Sequence, residues 1–232
     1  MNSGKNNLVS IIIPHHNNET ILLNCIKSIY ELTYSNFEVI VVDNLSTDKT
    51  IDKVKHFPVN KIITIDKYLP GKALNMGIEE AEGQYFVFLS AHCIPVENTW
   101  LQKLVYALEE NVNYAGVYGR QEPMSFTSNS DRRDLLLIFG LDRKIQIKDS
   151  FFHNANSMLP RAIWDKFPFD EKATNIEDRI WGKLVIEAGY EIIYEPSASV
   201  YHYHGLHQHG NSSIRAKGPC FISPAGYPSA CK

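Results

Sequence analysis

The segment QYFVFLSAHCIP, residues 84–95, ends in two side chains that can do chemistry. Its apolar part predicts a buried strand from Tyr85 to Leu89, after which the chain presents Ser90 and His92. A hydroxyl and an imidazole can hydrogen-bond a phosphate, and an imidazole can also bind a metal ion. The segment therefore predicts a ligand-binding turn at the end of a strand.

Two carboxylates stand together at Glu177 and Asp178. They begin EDRIWGKLVIEAG, whose apolar spacing predicts a helix over 177–189. The helix dipole stabilises ionised carboxylates in the first turn, which keeps a base unprotonated at neutral pH. The pair is therefore a candidate for proton abstraction, although two acids at the start of a helix are also a common structural pattern.

Other candidate ligands end a predicted strand or open a predicted helix. Asp43 ends the segment FEVIVVD, and its carboxylate either accepts a hydrogen bond from a nucleotide or caps the following helix. Lys72 and Asn75 lie near the start of a predicted helix over 71–82, a position that favours phosphate. A lysine that is merely solvated is an equal alternative at this place.

The elements that must position these groups alternate between strand and helix in the first half of the chain. Apolar, β-branched segments predict four buried strands, at 8–13, 37–43, 61–65 and 85–89. Asn17 or Asn18 is the expected cap of the first helix. This alternation predicts a parallel sheet with helices on both faces, and such sheets bind ligands beyond the carboxyl ends of their strands.

The second half of the sequence is less regular. Residues 114–119 predict a fifth strand, and 125–133 predict a polar loop before an amphipathic segment at 134–141. Residues 190–196 and 198–204 predict two extended segments. The last 22 residues, 211–232, are rich in Ser, Pro, Gly and Ala and predict an irregular tail.

Composition excludes several classes of protein. The 232 residues are 44% hydrophobic and 21% charged, which is ordinary for a globular chain with a sizeable core. The net charge of −3 provides no global basic field for nucleic acid, and the four cysteines form no C-x-x-C pair for zinc. Neither a signal peptide nor a bilayer-spanning segment is evident, so we expect a cytoplasmic protein with at most peripheral membrane contact.

Four segments in order resemble the successive blocks of family 2 glycosyltransferases, which have the GT-A fold. They are VSIIIPHHNNETILLNCIKSI, FEVIVVDNLSTDKT, PGKALNMGIEEAEGQYFVFLSAHCIP and NIEDRIWGKLVIEAGYEIIYEP. The resemblance runs from about Val9 to about His204. The segments YGRQEP, HNANSM and HYHGLHQ further resemble rhamnosyltransferase-like enzymes of bacterial surface polysaccharides.

The resemblance implies an α/β GT-A domain with a mostly parallel central sheet flanked by helices. We expect one domain over 1–210, with a nucleotide-sugar-binding half at 8–120 and an acceptor and catalytic half at 121–210. It also implies a set of nucleotide contacts: Pro14, Asp43, Lys72, Asn75, Ser90 and Ala91. The expected sugar-binding positions are His153, Asn154 and Asn156, with Arg120 and Gln121 as lesser candidates. Trp181 either lines the acceptor pocket or belongs to the core.

The resemblance further implies that Asp178 deprotonates the acceptor hydroxyl, with Glu177 as the alternative base. Where the family usually has Asp-x-Asp to hold a divalent metal, this chain has Ser90-Ala91-His92. His92 is then a metal ligand, a direct hydrogen-bond donor to phosphate, or a packed histidine.

Either His202 or His204 would be the further metal ligand from the end of the fold. These two histidines alternate at strand spacing and share one face, although an exposed polar turn is the alternative. Imidazole ligation favours Mn²⁺ over Mg²⁺, which prefers oxygen ligands.

The implied function is an inverting glycosyltransferase of bacterial surface polysaccharide synthesis. It would move a sugar from a nucleotide diphosphate sugar to a glycan or lipid-linked acceptor, with no nucleic acid involved. One alternative is a nucleotidyltransferase, which we would expect to carry a glycine-rich basic loop where this chain has IIIPHHNNE. The other is a non-catalytic or metal-independent relative that binds nucleotide.

Overall fold

The computed structural model describes residues 7–203, which are built around one nine-stranded sheet. The strands are β1 (Val9–His15), β2 (Phe37–Asp43), β3 (Lys61–Thr64), β4 (Tyr85–Leu89), β5 (Cys93–Pro95), β6 (Tyr114–Pro123), β7 (Lys144–Gln146), β8 (Asn156–Pro160) and β9 (Glu191–His202). The helices are α1 (Glu19–Ile29), α2 (Thr50–Val54), α3 (Pro70–Glu79), α4 (Trp100–Glu109), α5 (Asn129–Ile138), α6 (Arg161–Trp164) and α7 (Glu177–Glu187). The predicted tail at 211–232 and His204 lie outside the described residues.

The first four strands form the predicted parallel region. The order across the sheet is β3-β2-β1-β4-β8-β6-β9-β5, and β7 pairs with β9. Strand β1 lies between β2 and β4, so the chain first extends the sheet on one side of β1 and later on the other side. Such a change of direction opens a crevice at the carboxyl ends of the strands. The predicted strands at 37–43 and 85–89 are confirmed at both ends.

Strand β1 continues two residues beyond its predicted end at residue 13. Pro14 pairs in register with Val42 of β2, and His15 pairs with Asp43. Pairing with β4 has already ended at Ile12, so the proline interrupts no ladder on that side. The extension places the His15 side chain at the ligand edge of the sheet.

The start of α1 differs from the predicted cap. Asn18 occupies the cap position, but its backbone is left-handed and its side chain forms no cap hydrogen bond. The Asn17 side chain instead accepts a hydrogen bond from the Thr47 backbone N–H at 2.8 Å, which ties the β1–α1 loop to the β2–α2 loop. These asparagines therefore shape the loops around the crevice and do not cap the helix.

Helix α3 lies close against the sheet because of one glycine. A Cβ on Gly77 would come within 2.6 Å of the Ile12 side chain, so no larger residue fits without a shift. The glycine weakens helix propensity, yet it lets α3 pack directly on β1. The predicted helix over 71–82 is thus confirmed in its middle and shortened at its end.

The second half contains more regular structure than the sequence predicts. The predicted polar loop at 125–133 holds the start of α5, where the Ser128 hydroxyl caps the Asp131 N–H at 3.2 Å. The predicted extended segments at 190–196 and 198–204 join into the single strand β9. Strand β8, between β4 and β6, was not predicted, because its short NSMLP run carries little strand signal.

The sheet separates two apolar cores, one on each face. No helix within residues 7–203 is long and apolar enough to cross a bilayer.

Candidate active site

One edge of the sheet collects nearly all the predicted site residues. Strand β8 is antiparallel to both β4 and β6, and β9 is parallel to β6. The carboxyl ends of β1, β2, β4, β6 and β9 therefore meet the start of β8 at the same edge. This topology brings Asp43, the Ser90–His92 turn, the His153–Asn154 segment and His202 to one side of the sheet.

Asp43 is buried at the end of β2, with 3% of its surface exposed. Its carboxylate accepts hydrogen bonds from the Ser46 backbone N–H, at 3.1 Å to Oδ2, and from the Ser46 hydroxyl. These bonds close the β2–α2 turn and do not cap α2, whose first N–H is held by Asp48 at 3.0 Å. Contact between Asp43 and a nucleotide stays a prediction, as it does for the half-buried Pro14.

His15, beside Asp43, is a buried histidine whose two ring nitrogens form no hydrogen bond. Burial lowers the pKa of its imidazole to about 4, and the charges of Asp43 and Asp48 only partly oppose that shift. The ring is therefore neutral at pH 7.

Lys72 and Asn75 have different environments in α3. Lys72 is partly exposed, and its ammonium lies 3.5 Å from Asp66, so its phosphate contact stays a prediction. The Asn75 amide donates to the Phe169 carbonyl at 2.9 Å and to Glu171 at 3.0 Å. Its oxygen accepts from Trp164 Nε1 at 2.9 Å and from the Phe169 N–H at 3.2 Å.

All the hydrogen-bonding capacity of Asn75 is thus used to hold α3 against residues 164–171. The predicted nucleotide contact of Asn75 does not fit this arrangement. The signal that could have warned of it is the helical spacing of Asn75 with Gly71 and Ile78, which places all three on the buried face.

Ser90, Ala91 and His92 form a tight turn between β4 and β5. The Ser90 hydroxyl accepts from the His92 N–H at 3.3 Å, and the Ser90 carbonyl accepts from the Cys93 N–H at 2.8 Å. The His92 carbonyl accepts from the Tyr203 N–H at 2.9 Å. Since Cys93 also pairs with His202, the backbone places the turn that carries His92 beside the end of β9 that carries His202.

The side chains described at this turn supply only part of the ligand shell of a divalent cation. Within residues 7–203, no three His, Cys, Asp or Glu side chains lie close enough together to hold a metal ion by themselves. His92 and His202 provide two imidazoles of the type that bind Mn²⁺, and phosphate oxygens of a donor would have to complete the shell. The third predicted ligand, His204, lies outside the described residues.

The two acids at the start of α7 have unequal exposure. Glu177 is 7% exposed, and its carboxylate accepts a hydrogen bond from Asn154 Nδ2 at 3.2 Å. Burial, followed by the charge of Asp178, raises the Glu177 pKa. Asp178 is partly exposed, and its Oδ1 accepts from the Arg179 N–H at 2.7 Å. Asp178 is therefore the more accessible carboxylate.

His153 lies beside this acid pair. Burial lowers its pKa, while the charge of Asp178 acts in the opposite direction. Its ring packs on Phe139 and Phe151, with centroids 5.8 and 6.3 Å away. Together with Asn154, it forms the part of the predicted sugar-binding set that the structure brings to the acids.

Three other predicted sugar ligands have structural contacts instead. Asn156 is fully buried, and its amide bonds Trp100 Nε1, the Arg120 carbonyl and the Ala198 carbonyl at 2.9, 3.1 and 2.9 Å. Trp181 is also fully buried, packed 4.5 Å from the Phe152 ring centroid, so it belongs to the core and does not line a pocket. The Arg120 guanidinium donates to the Phe139 carbonyl at 3.3 Å.

Residues that sequence reasoning missed or ranked low also lie here. Arg179 stacks on Phe151, with its guanidinium carbon 4.0 Å from the ring centroid. Tyr68, in the β3–α3 loop, is 45% exposed, and desolvation of its hydroxyl, followed by the charge of Glu177, raises its pKa to about 12. Gln121 is 1% exposed and contacts two histidines. Neither Tyr68 nor Arg179 has a sequence signal beyond its proximity to a motif.

The family model for Glycosyl transferase family 2 matches residues 10–167. This chain belongs to that family. Its members transfer sugars, which decides against the nucleotidyltransferase alternative. The O-antigen chain rhamnosyltransferase RfbN of Salmonella typhimurium is 24% identical to this family 2 chain over 209 residues, covering 84% of the chain and 66% of RfbN. The predicted resemblance to rhamnosyltransferase-like enzymes is thereby confirmed.

Two further proteins extend the comparison. The UDP-Glc:alpha-D-GlcNAc-diphosphoundecaprenol beta-1,3-glucosyltransferase WfgD of Escherichia coli is 32% identical over 118 residues, which are 50% of this chain and 46% of WfgD. The mannosyltransferase PcManGT from Pyrobaculum calidifontis, solved with GDP-Man and Mn²⁺, superposes with a TM-score of 0.68 at 20% identity, covering 90% of this chain and 60% of that one. The predicted GT-A fold is confirmed, and the family 2 chain spans about half to two thirds of the length of these curated relatives.

Proposed function

We propose that this family 2 domain is an inverting glycosyltransferase that uses a nucleotide diphosphate sugar and a glycan or lipid-linked acceptor of bacterial surface polysaccharide synthesis. The proposal rests on one observation. Asp43 at the end of β2, the Ser90–His92 turn after β4 and the acid pair that begins α7 all lie at the same edge of the sheet. A donor bound across β1, β2 and β4 would then have its reactive sugar between these strands and α7. The glycosyltransferase activities of RfbN, WfgD and PcManGT support the reaction class.

Asp178 is the proposed base. It would take the proton of the acceptor hydroxyl while that oxygen bonds the anomeric carbon and the bond from this carbon to the diphosphate breaks. The carboxylate lies partly exposed at the start of α7, so an acceptor can reach it. Glu177 is buried and bonded to Asn154, so it would hold the loop that carries His153.

The leaving nucleoside diphosphate would lie at the Ser90–His92 turn. When bound there, a divalent cation would offset the negative charge that develops on the diphosphate. We propose His92 and His202 as its protein ligands and Mn²⁺ as the favoured ion, because imidazole nitrogen suits Mn²⁺ better than Mg²⁺. Mn²⁺ in the PcManGT complex supports the presence of a cation in this fold.

The test is a screen of purified protein against UDP-, GDP- and dTDP-sugars. A donor should raise the melting temperature, and more strongly with Mn²⁺ than with Mg²⁺. Release of the nucleoside diphosphate on addition of a lipid-linked saccharide would then show transfer. A donor that binds without any hydrolysis or transfer would instead support the non-catalytic alternative, and activity that survives exhaustive chelation would support the metal-independent one.

We also propose peripheral membrane contact through an apolar surface beside the acceptor half. Six large apolar side chains are exposed there: Leu136, Leu137, Ile138, Leu141, Ile145 and Ile147. Phe139, which directly follows α5, packs on the His153 ring, so this surface adjoins the acid pair. Exposed patches of this kind mark interaction sites, and a bilayer would present a lipid-linked acceptor.

Vesicle flotation tests this contact. The double variant Leu137→Ser and Leu141→Ser should lose binding to phospholipid vesicles. Val112→Ser is the matched control, because Val112 is fully exposed but precedes β6 at the opposite edge of the sheet. Equal flotation of both variants would contradict the proposed surface.

A further inference from the structure

Arg179, the third residue of α7, lies over an aromatic ring beside the acid pair. Its guanidinium carbon is 4.0 Å from the centroid of the Phe151 ring. The residue is exposed, and it directly follows Asp178, the proposed base. Because consecutive residues of a helix rise by only about 1.5 Å, the guanidinium and the base serve the same small part of the site.

The guanidinium of Arg179 has no hydrogen-bond or ion-pair partner among residues 7–203. The acids beside it bind backbone groups instead. Asp149 accepts from the Phe151 N–H at 3.0 Å, and Asp178 accepts from the Arg179 N–H at 2.7 Å. A planar guanidinium that lies on a ring is held in place by its face, so its N–H groups stay available to a ligand.

The charge of Arg179 also acts on the interior of the acceptor half. Burial lowers the pKa of His153, the charge of Asp178 opposes this effect, and the charge of Arg179 adds to it. Burial likewise raises the pKa of Tyr118, and the charge of Arg179 is among the effects that oppose that shift. The cation, the base and the proposed sugar ligand His153 therefore form one cluster.

The Phe151 ring connects this cluster with the apolar surface that follows from α5. Its centroid lies 6.1 Å from that of Phe139, and the two rings meet edge to face at 73°. Phe139 directly follows α5, and the neighbouring Leu137 and Leu141 are 75% and 73% exposed. The order along the protein is thus base, guanidinium and apolar surface.

A lipid-linked saccharide has its groups in the same order, with an accepting hydroxyl, a phosphate and an apolar chain. We propose that Arg179 binds the phosphate oxygens of such an acceptor, and that the accepting sugar is the one attached directly to this phosphate. This inference rests on the transferase function and the lipid-linked acceptor proposed above. A guanidinium can bind two phosphate oxygens at once, which fixes the sugar in position as well as offsetting the charge.

Farnesyl diphosphate is a suitable probe, since it joins a diphosphate to a short apolar chain and carries no nucleotide. Its Kd for the purified protein is measured by isothermal titration. In Arg179→Gln this Kd should rise about tenfold, as for the loss of a charge-assisted contact. Arg179→Lys should have an intermediate Kd, because an ammonium keeps the charge but lacks the paired N–H groups. An unchanged Kd in Arg179→Gln would overturn the proposal.

Lys183→Gln is the matched control. Lys183 lies one turn further along the same helix, and its exposed ammonium is 3.7 Å from Glu187. The substitution removes the same charge away from the Phe151 ring, so the Kd for farnesyl diphosphate should stay at the wild-type value. A rise as large as that in Arg179→Gln would reduce the effect to net charge and overturn the contact. Farnesol, which lacks the phosphate, should bind wild type and Arg179→Gln equally.

Two further measurements separate the acceptor phosphate from other sources of the same chemistry. UDP, GDP and dTDP should bind Arg179→Gln as tightly as wild type, and a tenfold weaker Kd would assign the guanidinium to the donor instead. Short-chain phosphatidylglycerol should not displace farnesyl diphosphate, whereas displacement at equal affinity would assign the guanidinium to any anionic headgroup. Either result would overturn the proposal.

Failure of this inference can be told apart from failure of the transferase proposal. Binding of farnesyl diphosphate that depends on Arg179, in a protein that transfers no sugar, would contradict only the transferase proposal. Transfer to a lipid-linked saccharide with wild-type kcat/KM in Arg179→Gln would contradict only the role of Arg179.

Discussion

Buried histidines differ in their hydrogen bonding between the β1–β2 side and the β6–β9 side of the candidate site. At the end of β1, His15 is 5% exposed and both of its ring nitrogens lack a hydrogen-bond partner. At the ends of β6 and β9, Gln121 provides a partner for both His153 and His202. A buried polar group without a partner lowers stability, whereas a satisfied network orders its members.

This difference indicates different roles for the two sides. The β6–β9 side is the acceptor side, where the sugar acceptor is proposed to bind. Hydrogen bonds of the Gln121 side chain and between Asn154 and Glu177 hold its side chains in place before a ligand binds. The β1–β2 side is the donor side, where the nucleotide is proposed to bind. There the His15 imidazole lies next to Asp43 without a hydrogen-bond partner. Three predictions test this difference.

The largest effect is expected from Asp178→Asn. The amide cannot take the acceptor proton, so transfer should fall by about 10² to 10⁴-fold while donor binding is kept. Initial rates at saturating donor, together with the donor Kd, measure this. Glu187→Gln, in the exposed last turn of the same helix, is the control and should keep activity. Normal turnover in Asp178→Asn would move the base to Glu177.

A smaller effect, on stability, is expected from Asn156→Ala. The change would remove three buried hydrogen bonds and leave Trp100 Nε1 and two carbonyls unsatisfied. The free energy of unfolding should fall by about 4 kcal/mol, as measured by urea denaturation. Asn113→Ala, which loses one weak bond at 3.3 Å to the Gly189 carbonyl, should cost under about 1 kcal/mol. If Asn156→Ala lowers the free energy of unfolding no more than Asn113→Ala does, the buried hydrogen bonds do not order the acceptor side.

The smallest effect concerns His15 and pH. Its pKa is lowered in the folded protein to about 4, so between pH 6.5 and 4 the unfolded chain binds the extra proton and stability falls with falling pH. Protonation of this imidazole in the unfolded chain should lower the free energy of unfolding by about 3 kcal/mol between pH 7 and pH 4. His15→Leu should remove that part of the pH dependence and raise stability at pH 7, because no polar atom is then left unsatisfied. Parallel stability–pH curves for the two proteins would show that the imidazole has a partner after all.

Much of the donor side could be predicted from the sequence, because its strands are continuous apolar segments and its polar residues follow them directly. The positions of Asp43 and of Ser90–His92 at the ligand edge need only the parallel order of β1, β2 and β4. On the acceptor side the predictions were less successful. The short strand β8 resembles a polar loop in sequence, and its antiparallel insertion between β4 and β6 depends on partners far along the chain.

The resemblance to the family, the alternation of strands and helices, and the acids that begin α7 could all be predicted from the amino-acid pattern, because they depend on local sequence. Which polar side chains are occupied in holding the fold together became known only from the packing of the folded chain. Asn75, Asn156 and Gln121 all lie in or beside sequence motifs, yet two of them bond core groups and the third bridges histidines. The physical reason is that an amide offers two donors and two acceptor sites, and the partners of these groups are set by packing between distant segments.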